Sequence, residues 1–334
     1  MFDRRHALQV GLAAIGSLTV SRGAGAQRKP LAKVRYNEVI RTILFTPSYV
    51  AMAKGFFEEG GLDVTMATAN GPDKSMAALL GGIADIALMG PETAIYVLTS
   101  DSPTKARIFC GLTATDGFML VGREKVDKFD WNMLRGKEIR GATNGSTPLL
   151  FLEAALRSKG IDPLKDVKLV NNVAPPARVG SWLAGQNQYA IFPEPDASQL
   201  ELDGKAYFLA SIGQTLGPAD YTTFMATDKY IHDNPDIVQG WTNAISRAQQ
   251  WTAAAPGAEI AKVLEPYFLG ISMPALTAGI ERYRQLKIWK TTPVIDPPAV
   301  EKFQDILVRG NVLDPAKRVK FQDLVLSEFA AKAR

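Results

Sequence analysis

Cysteine and histidine are almost missing from this sequence: Cys110 is the one thiol, and His6 and His232 are the two imidazoles, among 334 residues. A lone cysteine excludes an internal disulfide and any cysteine-built metal cluster. Cys110 sits in the apolar run Ala106 to Leu112 and reads as a buried strand residue. No Gly-x-x-x-x-Gly-Lys phosphate loop, nucleophile elbow or metal-ligand spacing is present. A Ser-His or Cys-His pair would have to rely on His232, because His6 lies in a removable leader. The expectation is a non-enzyme with no catalytic residues, no metal and no cofactor.

Long apolar runs are missing as well. The longest, Val10 to Val20, has 11 residues, whereas a membrane-spanning helix needs ~20. Low-complexity tracts are absent, and hydrophobic residues at 46% against 22% charged residues point to a chain that folds throughout. The net charge of +4 gives no support to nucleic-acid binding, which usually shows a clustered basic face.

What is present begins with residues 1–26. Arg4-Arg5, the short apolar run and Ala24-Gly25-Ala26 have the order of an export signal: basic start, hydrophobic stretch, small-residue cleavage site. The paired arginines, the weakly hydrophobic Gly- and Ala-containing run and Arg22 resemble a twin-arginine signal, with the general secretory route as the alternative. Its removal takes three arginines and one aspartate, so the net charge falls from +4 to +2.

The rest alternates strand-like and helix-like segments, an α/β pattern with mostly parallel sheets. Strands are expected at 34–40, 62–66, 86–89, 138–142, 167–171 and 190–192. Helices are expected at 49–59, 73–80, 148–159, 175–183 and, longest of all, 235–254. Two strand-helix units in succession imply right-handed crossovers and a ligand crevice at the carboxyl ends of the strands. An internal echo at an offset of 103 places Pro72 on Pro175, Leu80 on Leu183, Gly82 on Gly185 and Ala87 on Ala190. Both copies run into a Pro/Glu turn, Gly90-Pro91-Glu92 in one and Pro193-Glu194-Pro195 in the other.

The stretch Tyr49-Val50-Ala51-Met52-Ala53-Lys54-Gly55-Phe56-Phe57, with Gly61-Leu62-Asp63-Val64, resembles a signature of substrate-binding proteins of ABC importers. The branch it is similar to handles nitrate, sulfonates, taurine, bicarbonate and thiamine precursors. Ala77 to Gly82, Ala84-Asp85-Ile86, Leu134 to Ile139, Ala197 after Pro195, and Asn234-Pro235 with Ala244 and Ala248 extend the resemblance over nearly the whole mature chain. Gln188-Tyr189-Ala190 departs from the Asp-Ala frequent at that place in the family.

The resemblance implies a type II periplasmic-binding-protein fold: two α/β lobes joined by a hinge of two crossing strands, near Leu112 to Phe118 and Pro218 to Thr223. Lobe 1 would hold residues 33–114 plus 223–334 and lobe 2 residues 115–222. The implied role is a periplasmic, monomeric binding protein without a membrane span. It would deliver a sulfonate, carboxylate or related small polar molecule, or a nitrogen heterocycle, to an ABC permease and its ATPase subunits. The alternative is an enzyme of related fold in pyrimidine or quinone biosynthesis, against which the export signal argues. A ligand-loaded partner of a sensor receptor is not separable from transport by sequence.

Candidate ligand groups follow from the strand-end turns. Asn144-Gly145-Ser146-Thr147-Pro148 opens a helix, with Thr147 suited to the N-cap and Pro148 to the first helical position. Free backbone N–H groups there attract an anionic head. Gly90 belongs to the first Pro/Glu turn. Glu92 and Glu194 are possible acceptors for an amine or amide, and Glu92 equally suits the start of its own helix. Arg41 is the candidate cationic clamp. Thr46, Ser48 and Tyr49 form another turn into a helix. Thr115, Asp116 and Tyr221 fall at the crossings, where hinge packing is the competing role.

Overall fold

The computed structural model describes residues 30–333. The expected export segment, 1–26, lies outside them. Two five-stranded sheets carry the fold. The first contains β1 (Ala32–Glu38), β2 (Leu62–Thr68), β3 (Ile86–Met89), β4 (Ala106–Thr113) and β10 (Thr222–Thr227), in the order β2-β1-β3-β10-β4. The second contains β5 (Met119–Gly122), β6 (Glu138–Arg140), β7 (Lys168–Val170), β8 (Tyr189–Phe192) and β9 (Tyr207–Ser211), in the order β7-β6-β8-β5-β9.

These two orders are one topology used twice. In each sheet three consecutive strands run parallel, and the strand in the fourth position, between the third and the fifth, runs antiparallel, having arrived from the other sheet. β3 and β8 occupy the same place, and their limits differ by the 103 residues of the sequence echo. Every residue of both strands is buried, as strands covered on two faces require.

The chain passes between the sheets twice, from Thr113 to Met119 and from Ser211 to Thr222. The two passages hold each other. The Thr115 hydroxyl donates to the Gly217 carbonyl at 2.9 Å. Ala219 N–H donates to the Ala114 carbonyl, and Tyr221 N–H to that of Thr113.

Local chemistry sets the helix limits. The helix Pro235–Ala254 opens on Asn234 with proline in its first turn, and it buries Val238, Trp241, Ile245, Ala248 and Thr252 at helical spacing. It stops where Ala255 precedes Pro256 and turns extended. The single helix expected over 49–59 is instead two, Thr46–Ala53 and Phe56–Glu59. Gly55 adopts φ +71 between them, and Phe56 and Phe57 turn into the core. The segment expected as a helix over 175–183 begins with a 3-10 turn, Pro175–Ala177, before the helix Arg178–Leu183. Adjacent prolines lack N–H donors and bias the preceding residue away from α geometry.

Trp241 anchors the first core. Its ring centroid lies 4.3 Å from Phe57, 5.1 Å from Tyr36 and 5.4 Å from Phe224. Trp241→Ala should therefore destabilise the fold by about 3–5 kcal/mol, seen as a lowered urea midpoint. An unchanged midpoint would contradict this packing.

Candidate functional site

Two helix N-termini face each other where the passages bring the sheets together. Gly90 leaves β3 and opens the helix Pro91–Leu98; Ser146 opens the helix Thr147–Ser158 beyond β6. The expected cap is displaced by one residue. Ser146 has the extended N-cap backbone, while Thr147 and Pro148 are already helical. The Ser146 hydroxyl donates to the Thr143 carbonyl at 2.6 Å and caps nothing. Thr147 N–H is satisfied from across the cleft instead, donating to Glu92 Oε1 at 3.3 Å. The approach depends on Gly90, because a Cβ there would collide with Thr147 Oγ1 and Glu92 Oε2. Tyr96, one turn beyond Glu92, donates its hydroxyl to the Gly145 carbonyl.

Between these helix ends lies a cavity of about 60 Å³. Its body is apolar, with Ile40, Leu44, Phe45 and Phe118 in the walls. Among the polar side chains in that surface are Glu92 from the first sheet's helices, Arg178 from the second's, and Tyr221 from the returning passage. They are 2%, 4% and 2% exposed. Glu92 Oε2, Arg178 Nε and the Tyr221 hydroxyl have no hydrogen-bond partner among the described residues. Unpaired buried polar atoms are costly, so a set of three around one cavity singles it out as the candidate site.

Burial pushes the Glu92 carboxyl up to about 7, against hydrogen bonds from Thr147 that pull it down. Burial likewise raises Asp116 to about 8, although it accepts from Phe118 N–H. Tyr221 lies close enough to oppose that rise, yet neither Asp116 Oδ2 nor the Tyr221 hydroxyl completes a well-formed hydrogen bond. Arg178 is lowered by burial and raised by the field of Asp196, and its guanidinium lies 5.3 Å from the centre of the Phe118 ring. Behind it Arg140 is fully buried, has no partner for any of its three side-chain nitrogens among the described residues, and is lowered to about 10 by burial and by Arg178.

Of the residues singled out in the sequence, Gly90, Glu92, Ser146, Thr147 and Tyr221 line this cavity. Gly145 supports it through its carbonyl, and Asn144 is exposed beside it. Thr115 and Asp116 lie in the passage, where Thr115 ties the two crossing segments together. The others are engaged elsewhere. Arg41 pairs with Glu38 at 2.6 Å and reaches Thr68. Tyr49 donates to Glu38, and Thr46 and Ser48 are buried within the first half. Glu194 pairs with Arg282 at 2.7 Å and accepts from Ser198 N–H, so its carboxylate is committed to packing.

Arg178 was missed. Its signal was a cation in the first turn of a helix, at the end where the helix dipole disfavours it. The offset of 103 also matches it to Ser75, a small buried residue bonded to Asn37, so the echo disguised it.

The carboxyls make stability depend on pH. Glu92 and Asp116 have folded-state pKa values raised to about 7 and about 8, so the folded chain holds more protons than the unfolded chain from pH ~5 to ~8. Stability should fall as pH rises through that window. Glu92→Gln and Asp116→Asn should each flatten the fall, read from urea midpoints at pH 5, 6.5 and 8. A slope unchanged in both variants would contradict this environment.

The comparisons with known proteins agree with this architecture. The NMT1-like family model matches residues 38–265. A Bacillus subtilis (strain 168) chain named "Putative binding protein YtlA" is 36% identical over 327 residues, covering 97% of each chain. The alkanesulfonate-binding protein SsuA from Xanthomonas axonopodis pv. citri superposes with TM-score 0.73 at 18% identity, over 90% of this chain and 99% of that one. The periplasmic nitrate-binding protein NrtA from Synechocystis PCC 6803 gives TM-score 0.74 at 17% identity, over 90% and 87%. The repeated sheet order, the double passage and these matches together place the chain in the NMT1-like family, with the periplasmic-binding-protein fold.

Proposed function

We propose that this protein is the extracytoplasmic solute-binding component of an ABC-type importer. It captures a small polar organic molecule, a sulfonate, carboxylate or related compound or a nitrogen heterocycle, and hands it unchanged to a permease driven by ATPase subunits. The lobes are 33–114 with 223–334, and 115–222, and they hinge at the two passages. The observation that carries this reading is the cavity between the sheets, where Glu92, Arg178 and Tyr221 arrive from three different segments with unpaired buried atoms. A guest held by all three must touch both lobes, which couples its capture to closure.

Other observations support the role. SsuA and NrtA are named for binding alkanesulfonate and nitrate, and both share this fold. Among the described residues no helix is long and apolar enough to cross a membrane. The order of residues in 1–26 supports export to the periplasm, with cleavage after Ala26.

Two measurements test the proposal. Purified protein screened by thermal shift against sulfonates, carboxylates and pyrimidines should be stabilised by at least one class, by about 2.7 kcal/mol at a hundredfold excess over Kd. Arg178→Gln should remove that gain, and the ligand should be recovered chemically intact. No stabilisation by any class, or many equivalents of product, would defeat the reading. Separately, N-terminal sequencing of periplasmic protein should begin at Gln27. Lysine at both Arg4 and Arg5 should block export by the twin-arginine route, and protein retaining Met1 would refute processing.

A further inference from the structure

Resting on that reading, the charges around the cavity point to a more specific form of binding. Arg178 and Arg140 are buried neighbours close enough for Arg178 to lower Arg140. Asp196 is the one carboxylate whose field reaches Arg178, and none is found to offset Arg140 among the described residues. One guanidinium charge is thus left without a carboxylate nearby. Burial pushes Asp116, beside Tyr221, up to about 8, which leaves it mostly protonated at pH 7. Across the cavity Glu92 has Oε1 on the Thr147 N–H and Oε2 unpaired, and neither arginine contributes to its shift.

The groups facing Glu92 cannot hold it ionised once a second negative charge enters. Tyr96 on its own helix and Tyr221 on the returning passage are phenols that burial and the Glu92 charge hold protonated, so they offer it no positive charge. From the helix opposite it meets Thr147, and no charged side chain among the described residues contributes to its shift. Its support consists of two helix N-termini, which attract one negative charge each but do not neutralise two in an apolar enclosure.

We infer that the cleft takes up its ligand as a monoanion together with one proton, the anion settling toward Arg178 and the proton on Glu92. Without a ligand, the Glu92 carboxyl, raised to about 7 by burial, holds its proton only part of the time near neutral pH. When the anion arrives it supplies the negative charge that the arginine pair lacks, and Glu92 takes up a proton from solvent. As a neutral acid Glu92 still accepts from Thr147 N–H through one oxygen and offers an O–H from the other to the ligand. No covalent bond forms or breaks other than that O–H. A zwitterion presenting an ammonium to Glu92 would require the ionised carboxylate and would release a proton rather than take one up.

Calorimetric titration of the intact protein tests this with nitrate, methanesulfonate, propionate and benzoate as probes, and uncharged pyrimidines as the comparison series. Each is measured at pH 6, 7 and 8 in two buffers of unlike ionisation enthalpy. The expected result is an anion whose affinity is about tenfold weaker at pH 8 than at pH 6, with close to one proton absorbed per ligand at pH 8. In Glu92→Gln the slope and the proton uptake should vanish while affinity stays near the pH 6 value; Asp116→Asn should keep both. Anion affinity that is flat with pH, or that rises toward pH 8, overturns the inference and leaves the cleft reading intact. Binding of pyrimidines alone does the same. Failure of both series to bind would remove the cleft reading as well.

Discussion

One hydrogen bond across the cleft organises the site: the Thr147 N–H of one half ends on the Glu92 carboxylate of the other. An α-helix leaves its first N–H groups without partners, and something must satisfy them. Here the natural cap, Ser146, turns its hydroxyl back to Thr143, and Pro148 has no N–H to offer. Thr147 therefore depends on an acceptor from outside its own half. Gly90 makes the meeting possible by having no Cβ between the two groups. Glu92 meets that need with one oxygen and leaves the other, Oε2, without a partner among the described residues.

Around that contact the polar groups divide into those committed to holding the structure and those left available. In the first half, Glu38 collects Arg41, Tyr49 and Thr68, which ties the end of β1 to β2 and to the helix Thr46–Ala53. Between the halves, Tyr283 accepts from Glu194 N–H and donates to the Gly117 carbonyl, while Arg282 engages Glu194 and Glu201. The helix Met273–Gln285 thus reaches from the first sheet's side to the turn after β8. Buried pairs of this kind add little net stability, but removal of one partner leaves the other stranded, so they fix geometry strongly. The unpaired atoms of Glu92, Arg178 and Tyr221 differ from these pairs in gathering around one cavity.

The sequence disclosed the repeated architecture well, because its signals are local. The 103-residue echo between β3 and β8 rests on a glycine at positive φ after each preceding helix, Gly82 and Gly185, and on a four-residue apolar strand after each. The limits of Pro235–Ala254 could be read from Asn-Pro at one end and Ala-Pro at the other. The break at Gly55 could not, since the apolar spacing runs across it and only the core shows which way Phe56 and Phe57 must face. The site was half legible. Gly90, Glu92, Ser146 and Thr147 stand at strand ends beside helix starts, which pattern reveals. Arg178 depends on which of several arginines lacks a partner, and that is a property of the assembled fold.

The two Pro/Glu turns show how a duplicated frame yields a polar site with direction. Glu92 and Glu194 follow equivalent strands, and sequence alone gives them similar prospects. In the first half the helix after β3 begins at Pro91, so Glu92 lies within its first turn and points across the cleft. In the second half the helix after β8 begins at Asp196, two residues past Glu194, and Arg282 arrives from outside the sheet to take that carboxylate. With Glu194 removed from the cleft, the second half presents Arg178 with only Asp196 to temper it, while the first presents an acid. Had both carboxylates faced inward, the cavity walls would carry excess negative charge and favour a cation. Diverting one of the pair to Arg282 is what leaves the cavity with Arg178 from one half and a single raised carboxyl, Glu92, from the other.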